Sequence, residues 1–169
     1  MSGVIRDARP AEFATAGELT VQSYAPILAF GTDDPYLDEL RDAQSRAANA
    51  QLLVFIGGSD QILGTLTVAR PGSPYAQIAA PHELEVRMLG VSPAAHGQGI
   101  GTQLMAHVHD IAISEGFLSV ALSVIGTNVR ALQFYQGLGY RLESSRDWYP
   151  VADMPAPLKV LVKDLSAKA

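Results

Sequence analysis

The chain predicts one α/β domain, spanning residues 1–169, in which a mixed sheet of about six to seven strands is flanked by about four helices. Three observations carry this prediction. A length of 169 residues with 48% hydrophobic and 17% charged side chains is enough for one full core. Segments of strand character alternate with segments of helical periodicity in the order β-α-α-β-β-β-α-β-α-β-β. Neither internal repeats nor a low-complexity linker divides the chain.

Each element has a local reason. GVIRDA (3–8) reads as a short first strand. PAEFATAGELTVQSYAPIL (10–28) reads as a helix with Pro10 in its first turn, where a missing N–H costs nothing, and FGTDDP (30–35) breaks it. YLDELRDAQSRAANA (36–50) is rich in helix formers. QLLVFI, the turn GGSDQ and ILGTLTVA (51–69) form a hairpin, followed by the polar, proline-containing loop RPGSPYAQIAAPH (70–82). ELEVRMLGV (83–91) alternates as a strand. Beyond it comes a helix with Ile100, Leu104, Val108 and Ile111 on one side. FLSVALSV (117–124) is a buried strand, TNVRALQFYQGL (127–138) a helix with Thr127 as its expected N-cap, and PLKVLVKDL (157–165) a final strand.

Composition narrows the function. Seventeen acidic against twelve basic residues give a net charge of -5, which argues against a nucleic-acid partner. The absence of cysteine excludes disulfides, zinc-thiolate sites and a cysteine nucleophile. The start MSGVIRDARP lacks an apolar leader and no apolar run approaches the roughly 18 residues that span a bilayer, so a cytoplasmic protein with no membrane partner is expected.

The turn HGQGIG, His96 to Gly101, places alternate glycines directly before a helix, where free N–H groups and the helix dipole favour an anion. A dinucleotide fingerprint fails because its last glycine would fall on Thr102, and a Walker loop fails because no lysine follows Gly101. His107 and His109 are two apart on a helix and point to different sides, so they do not chelate together, and no metal site is expected.

VSPAAHGQGIG resembles motif A of the GNAT superfamily of acyl-CoA-dependent N-acyltransferases, Q/R-x-x-G-x-G/A, and NVRALQFYQGLGY resembles its motif B. The order of elements is similar to that family over nearly the whole chain. The resemblance implies the GNAT fold, with a sheet splayed between the fourth and fifth strands, and acetyl-CoA as co-substrate. The backbone N–H groups of Gly97, Gln98, Gly99, Ile100, Gly101 and Thr102 would then face the pyrophosphate. The pantetheine arm would pair like a strand with Leu89, Gly90 and Val91. Asn128 matches the family asparagine that contacts the cofactor, or is simply a helix-start residue. His96 stands where the pattern has glutamine or arginine, so an imidazole replaces a permanent cation beside the phosphates.

Amine acylation needs a neutral amine, a stabilised oxyanion and a proton for the leaving thiolate. Without cysteine, direct attack by the amine in a ternary complex is the economical route. Strand alternation puts Leu84, Val86 and Met88 on one face and Glu83, Glu85 and Arg87 on the other, toward the cleft. Glu85 lies eleven residues before His96, the spacing of the catalytic glutamate in histone-acetylating members, and is the candidate base; the competing reading is an ion-paired strand glutamate. Some relatives carry a glutamate five residues before the asparagine, a position held here by Ser123. Tyr135 matches the family tyrosine beside the thioester sulfur and is the candidate acid, although Leu132, Tyr135 and Leu138 also share a core-packing spacing. The residue matching Leu89 would offer its N–H to the acyl oxygen.

The acceptor is expected to be a small-molecule or peptide amine. Two regions would line its site: the first two helices with their junction, Tyr24 to Tyr36, where Asp33, Asp34, Asp38, Glu39 and Asp42 either attract a cation or form a solvated face, and RDWYPV, where Trp148 and Tyr149 either wall a pocket or cover the sheet edge. A homodimer is left open. The competing function is a GNAT-fold acyl-CoA-binding regulatory or interaction module without turnover.

Overall fold

The computed structural model describes residues 1–28 and 34–165. Its strands are β1 (Val4–Asp7), β2 (Gln51–Ile56), β3 (Ile62–Ala69), β4 (Glu83–Val91), β5 (Ser119–Ile125), β6 (Arg141–Leu142) and β7 (Leu158–Asp164). Its α-helices are α1 (Phe13–Tyr24), α2 (Pro35–Arg41), α3 (Ala43–Asn49), α4 (Ile100–Ser114) and α5 (Val129–Gly137). The strands form one sheet in the order β1-β2-β3-β4-β5-β7-β6, antiparallel except for the parallel pair β4 and β5. The predicted mixed sheet is therefore present, with five helices instead of about four.

The extra helix arises at Asp42, which interrupts the run expected to be continuous from 36 to 50. Its backbone, at φ -79° and ψ 68°, leaves the helical region. Its N–H closes α2 on Asp38 O at 3.1 Å, while its carboxylate accepts Ser45 N–H at 3.0 Å and starts α3. An aspartate that can bond its own backbone competes with helix continuation in this way. The first helix is also shorter than 10–28: Pro10–Glu12 forms a 3-10 turn, and α1 ends at Tyr24, two residues before Pro26. Phe30 to Asp33 of the predicted breaker lie outside the described residues. The start of α5 corrects a further expectation, since Asn128 and not Thr127 is the N-cap, its Oδ1 accepting Ala131 N–H at 3.2 Å.

The two faces of the sheet are covered differently. On one, Ile100, Leu104, Met105, Val108 and Ala112 of α4 pack with Phe55, Leu66, Leu84, Val86, Val120 and Leu122. Burying each large aliphatic side chain contributes about 1.5–3 kcal/mol, which outweighs the roughly 1 kcal/mol cost of Gly101 inside the first turn of α4. On the other, Ala16 of α1 and Ala43 of α3 cover Leu52, Val54 and Ile56, while Ile78 of the 70–82 loop and Trp148 cover Ala121, Val160 and Val162.

The sheet opens in its middle. Pairing of β4 with β5 runs only from Glu83↔Ser119 to Val86↔Leu122, although β4 continues to Val91 and β5 to Ile125. At this point Met88 adopts φ +57° and the register with β3 shifts between Thr65 and Thr67. Such a bulge bends its strand and ends regular pairing. It also overturns the simple alternation expected for β4: Met88 leaves the side of Leu84 and Val86 and packs with Leu28 and Leu40 on the α1–α2 side, while Leu89 rejoins the α4 side.

Candidate active site

The alternate glycines after β4 do two different jobs. Gly97 and Gly99 have φ of +76° and +79°, left-handed values that side chains rarely adopt. A Cβ at either would meet nothing within 4 Å, so the space in front of them is open. Gly101 sits in ordinary helix, where a Cβ would come within 3.2 Å of the Phe134 ring; it is small so that α5 can approach α4.

Between these constraints lies a run of unspent donors. Among the described residues, none of the backbone N–H groups of Gly97, Gln98, Gly99, Ile100, Gly101 and Thr102 has a protein acceptor; the first that does is Gln103, which donates to Gly99 O at 3.0 Å. The four amides that every helix leaves free at its start are thus extended backward through a glycine turn, and all of them lie at the positive end of the α4 dipole. His96 is exposed but not extended toward them. Its Nε2 sits 3.0 Å from Val91 O, so the ring folds back and ties the turn to the end of β4.

Leu89, Gly90 and Val91 line the open side of β4. A Cβ on Gly90 would come within 2.8 Å of Ser23 Oγ, so glycine here lets α1 lie close. Asn128 lies at the start of α5, three residues past the end of β5. Its Oδ1 is spent on the helix cap, while its Nδ2 donates to no described residue.

Tyr135 is 8% exposed, with edge-on contacts to Phe134 at 5.0 Å and Tyr140 at 5.7 Å between ring centres. Its hydroxyl hydrogen-bonds no described residue, and burial, then Tyr140, pushes the phenol above its usual range. It stays protonated at neutral pH, as a proton donor must. Tyr24, at the end of α1 over the opposite face, is pushed up by burial and then by Tyr135 and Tyr36.

Glu85 takes an unexpected place. It is 1% exposed beneath the 70–82 loop, accepting N–H bonds from Gln77 at 2.7 Å, Ile78 at 2.6 Å and Ala79 at 3.1 Å. Burial pushes its carboxyl up, while the amides of Gln77 and Ile78, then Arg87 and the Ala79 amide, pull it down. Glu85 and Tyr135 do not meet: Glu85 lies on the loop face, whereas Tyr135 packs with Leu84 and Val86 on the other.

The acidic stretch is largely spent on structure. Asp34 caps α2 through Tyr36 N–H at 2.7 Å, Asp42 caps α3, Asp38 pairs with Arg41, and Asp33 lies outside the described residues. Trp148 donates from Nε1 to Ser123 Oγ at 3.0 Å and covers the β5–β7 face, whereas Tyr149 is 55% exposed.

Two arginines were not foreseen. Arg46 is completely buried with no carboxylate partner among the described residues; it donates to Glu39 O at 3.1 Å, Leu40 O at 2.6 Å and Thr20 Oγ1 at 3.2 Å, capping α2 and fixing it to α1. Its spacing of three residues from Ala43, which puts both on one helix face, was the available signal. Arg87, at the mouth of the opening, donates to Tyr75 O at 3.3 Å and stacks over the Tyr75 ring. Among the described residues no group of His, Asp or Glu side chains could hold a metal ion, and no helix is long and apolar enough to cross a membrane.

Comparison with known proteins places these features in a family. The model of the acetyltransferase (GNAT) family matches residues 18–140. A mycothiol acetyltransferase from Nocardioides sp. is 37% identical over 127 residues, covering 73% of this chain and 39% of that protein. A thialysine N-epsilon-acetyltransferase from Bos taurus is 33% identical over 60 residues, covering 35% of each. This chain therefore spans well under half the length of these curated relatives. Among solved structures, a GNAT-family acetyltransferase from Staphylococcus aureus superposes with a TM-score of 0.74 at 15% identity, covering 97% of this chain and 99% of that one. The yncA protein of Salmonella typhimurium, solved with its cofactor acetyl-CoA, gives a TM-score of 0.71 at 18% identity, covering 100% of this chain and 97% of that one.

Proposed function

The chain belongs to the acetyltransferase (GNAT) family, and from that premise we propose that it transfers an acetyl group from acetyl-CoA to a primary amine, the amine attacking the thioester directly in a ternary complex. The observation that carries this reading is the unbroken run of N–H groups from Gly97 to Thr102 with no acceptor among the described residues, beside a strand whose pairing with β5 stops at Val86. An anion of pyrophosphate size satisfies those donors without any side chain. Leu89, Gly90 and Val91 offer strand-like partners to the amide-bearing arm of the same cofactor, with Asn128 Nδ2 as a further donor.

Tyr135 supplies the proton to the departing thiolate, a role supported by a phenol that burial keeps protonated and that hydrogen-bonds no described residue. The Leu89 N–H receives the oxyanion. Glu85 is the base, acting through a bridging water because its carboxylate faces the 77–79 amides and not the gap. His96 contributes by position, holding the glycine turn against Val91.

The test is an acceptor screen with acetyl-CoA, read as thiol release; a chain without cysteine adds no protein thiol to the signal. The proposal expects release that depends on an added amine. Stabilisation by acetyl-CoA with no amine-dependent release across pH 6–9 would reject it in favour of a non-catalytic binding module.

A further inference from the structure

The partly buried arginines of this protein mostly place their guanidinium fork on a carboxylate. Arg6 reaches Glu12 at 2.7 and 2.9 Å, and Arg146 reaches Glu83 at 2.8 and 2.9 Å. Even the half-exposed Arg70 holds Glu115 at 2.6 Å. Arg87 does not. Its side chain is only 10% exposed, yet the nearest carboxylate among the described residues is Glu39, 3.6 Å away and itself 44% exposed. That separation is too long for a hydrogen bond. Of the five donors on a guanidinium, one makes a hydrogen bond within 3.5 Å to a described residue, the long 3.3 Å contact with Tyr75 O, and the Tyr36 phenol is a second polar neighbour.

The spare donors are not sealed in the core. The buried side-chain atoms without partners are Arg46 Nε and Thr67 Oγ1, and no atom of Arg87 is among them. The guanidinium of Arg87 therefore keeps some exposure, at the point where β4 and β5 part. Its position is equally specific: Arg87 is the first residue of β4 past the last β4–β5 pair, Val86↔Leu122, on the face covered by α1 and α2. The ring of Tyr75, whose centre lies 5.7 Å from the guanidinium carbon, holds it in place. The Tyr36 phenol also borders it, and Arg87 draws that phenol's proton affinity down against the upward push of burial.

We infer that the acceptor carries a carboxylate as well as its amine, and that Arg87 binds this carboxylate through its open fork at the mouth of the gap between β4 and β5. A planar monoanion matches two parallel N–H donors, and Glu39 beside the fork disfavours a dianion such as a phosphate. The acceptor class is then a small amino acid or a compound ending in one, not a polyamine. This inference rests on the acetyl transfer proposed above.

The experiment compares matched acceptors, amino acids and their carboxamides, with rates referred to the free-amine concentration. The wild-type protein should prefer the acids by about tenfold or more in kcat/KM. Arg87→Gln should raise KM for the acids by about tenfold, change kcat little, and leave KM for the carboxamides and acetyl-CoA affinity unchanged; Arg87→Lys should restore part of the preference. Carboxamides or polyamines serving as well as the acids in the wild type would overturn this inference while leaving acetyl transfer intact. Equal losses on acids and carboxamides in Arg87→Gln would overturn it too. Acetyl-CoA binding without turnover on any amine would overturn the transfer reading, and this inference with it.

Discussion

Between Leu89 and Thr102 the cleft offers backbone, and from Arg46 to Arg87, beneath α1–α3, it offers side chains. The first region works through dihedral angles and free amides, so its requirements are small residues at φ near +80°, written into the chain as glycines a few positions apart. The second works through long side chains from separate elements: Arg46 from α3 against α1 and α2, Glu85 against residues 77–79, Arg87 against Tyr75. A site made of backbone is local, and a site made of side chains depends on which elements meet.

The sharpest way to break this comparison is at its junction, where chemistry should depend on side chains and cofactor binding should not. Tyr135→Phe keeps the ring and its packing but removes the proton, so kcat should fall by about 10² to 10⁴ with acetyl-CoA affinity nearly unchanged. Loss of affinity together with kcat would make the tyrosine structural. Glu85→Gln should lower the rate by about 10², most strongly at low pH where the amine is protonated, with partial rescue as pH rises. A flat pH profile of the loss would leave Glu85 as the anchor of the 77–79 loop alone.

The two kinds of glycine should separate next. Acetyl-CoA at about a hundred times its dissociation constant should stabilise the wild-type fold by about 2.7 kcal/mol, and Gly99→Glu should abolish that by adding strain and negative charge beside the free amides. Gly101→Ala should keep cofactor binding, with folding stability within about 1 kcal/mol of wild type: the gain in helix propensity offsets the contact with Phe134. Thermal shifts with and without acetyl-CoA measure both.

The effect most remote from the cleft concerns the far side of α4, the helix whose start carries the free amides. His109 Nε2 lies 2.8 Å from the Tyr140 hydroxyl, and burial, then the charge of Lys163, lowers the imidazole to about 4 against the opposing pull of Asp110. A histidine depressed on folding contributes stability that is full above its unfolded value of about 6.5 and is lost as pH falls toward 4. Denaturant titrations should show a loss on the order of 2 kcal/mol across that window. His109→Gln should flatten the dependence, and an unchanged slope would place the pH sensitivity elsewhere.

How far the sequence could be read follows the same division. The sheet, the glycine turn and the helix after it were legible because apolar spacing and φ requirements are local. The Met88 bulge was not, because strict alternation over 83–91 gives no sign of the residue at which pairing fails. Nor was the split at Asp42, where one side chain ends one helix and begins another. Glu85 was visible as a β4 glutamate, but its amide partners arrive from a loop whose path no local pattern sets. Arg87 was visible only as a neighbour of Glu85, since its lack of a close carboxylate among the described residues is a property of what fails to reach it.

The central claim, that the backbone from Gly97 to Thr102 receives the pyrophosphate of acetyl-CoA, is tested most directly by titrating the ¹⁵N-labelled protein with acetyl-CoA and following amide shifts. The account predicts saturable shifts that are largest at Gly97, Gln98, Gly99, Ile100, Gly101 and Thr102, smaller ones at Leu89 and Val91, and none at these amides with NAD. Saturable binding that leaves those six amides unmoved, or NAD moving them as acetyl-CoA does, would contradict it.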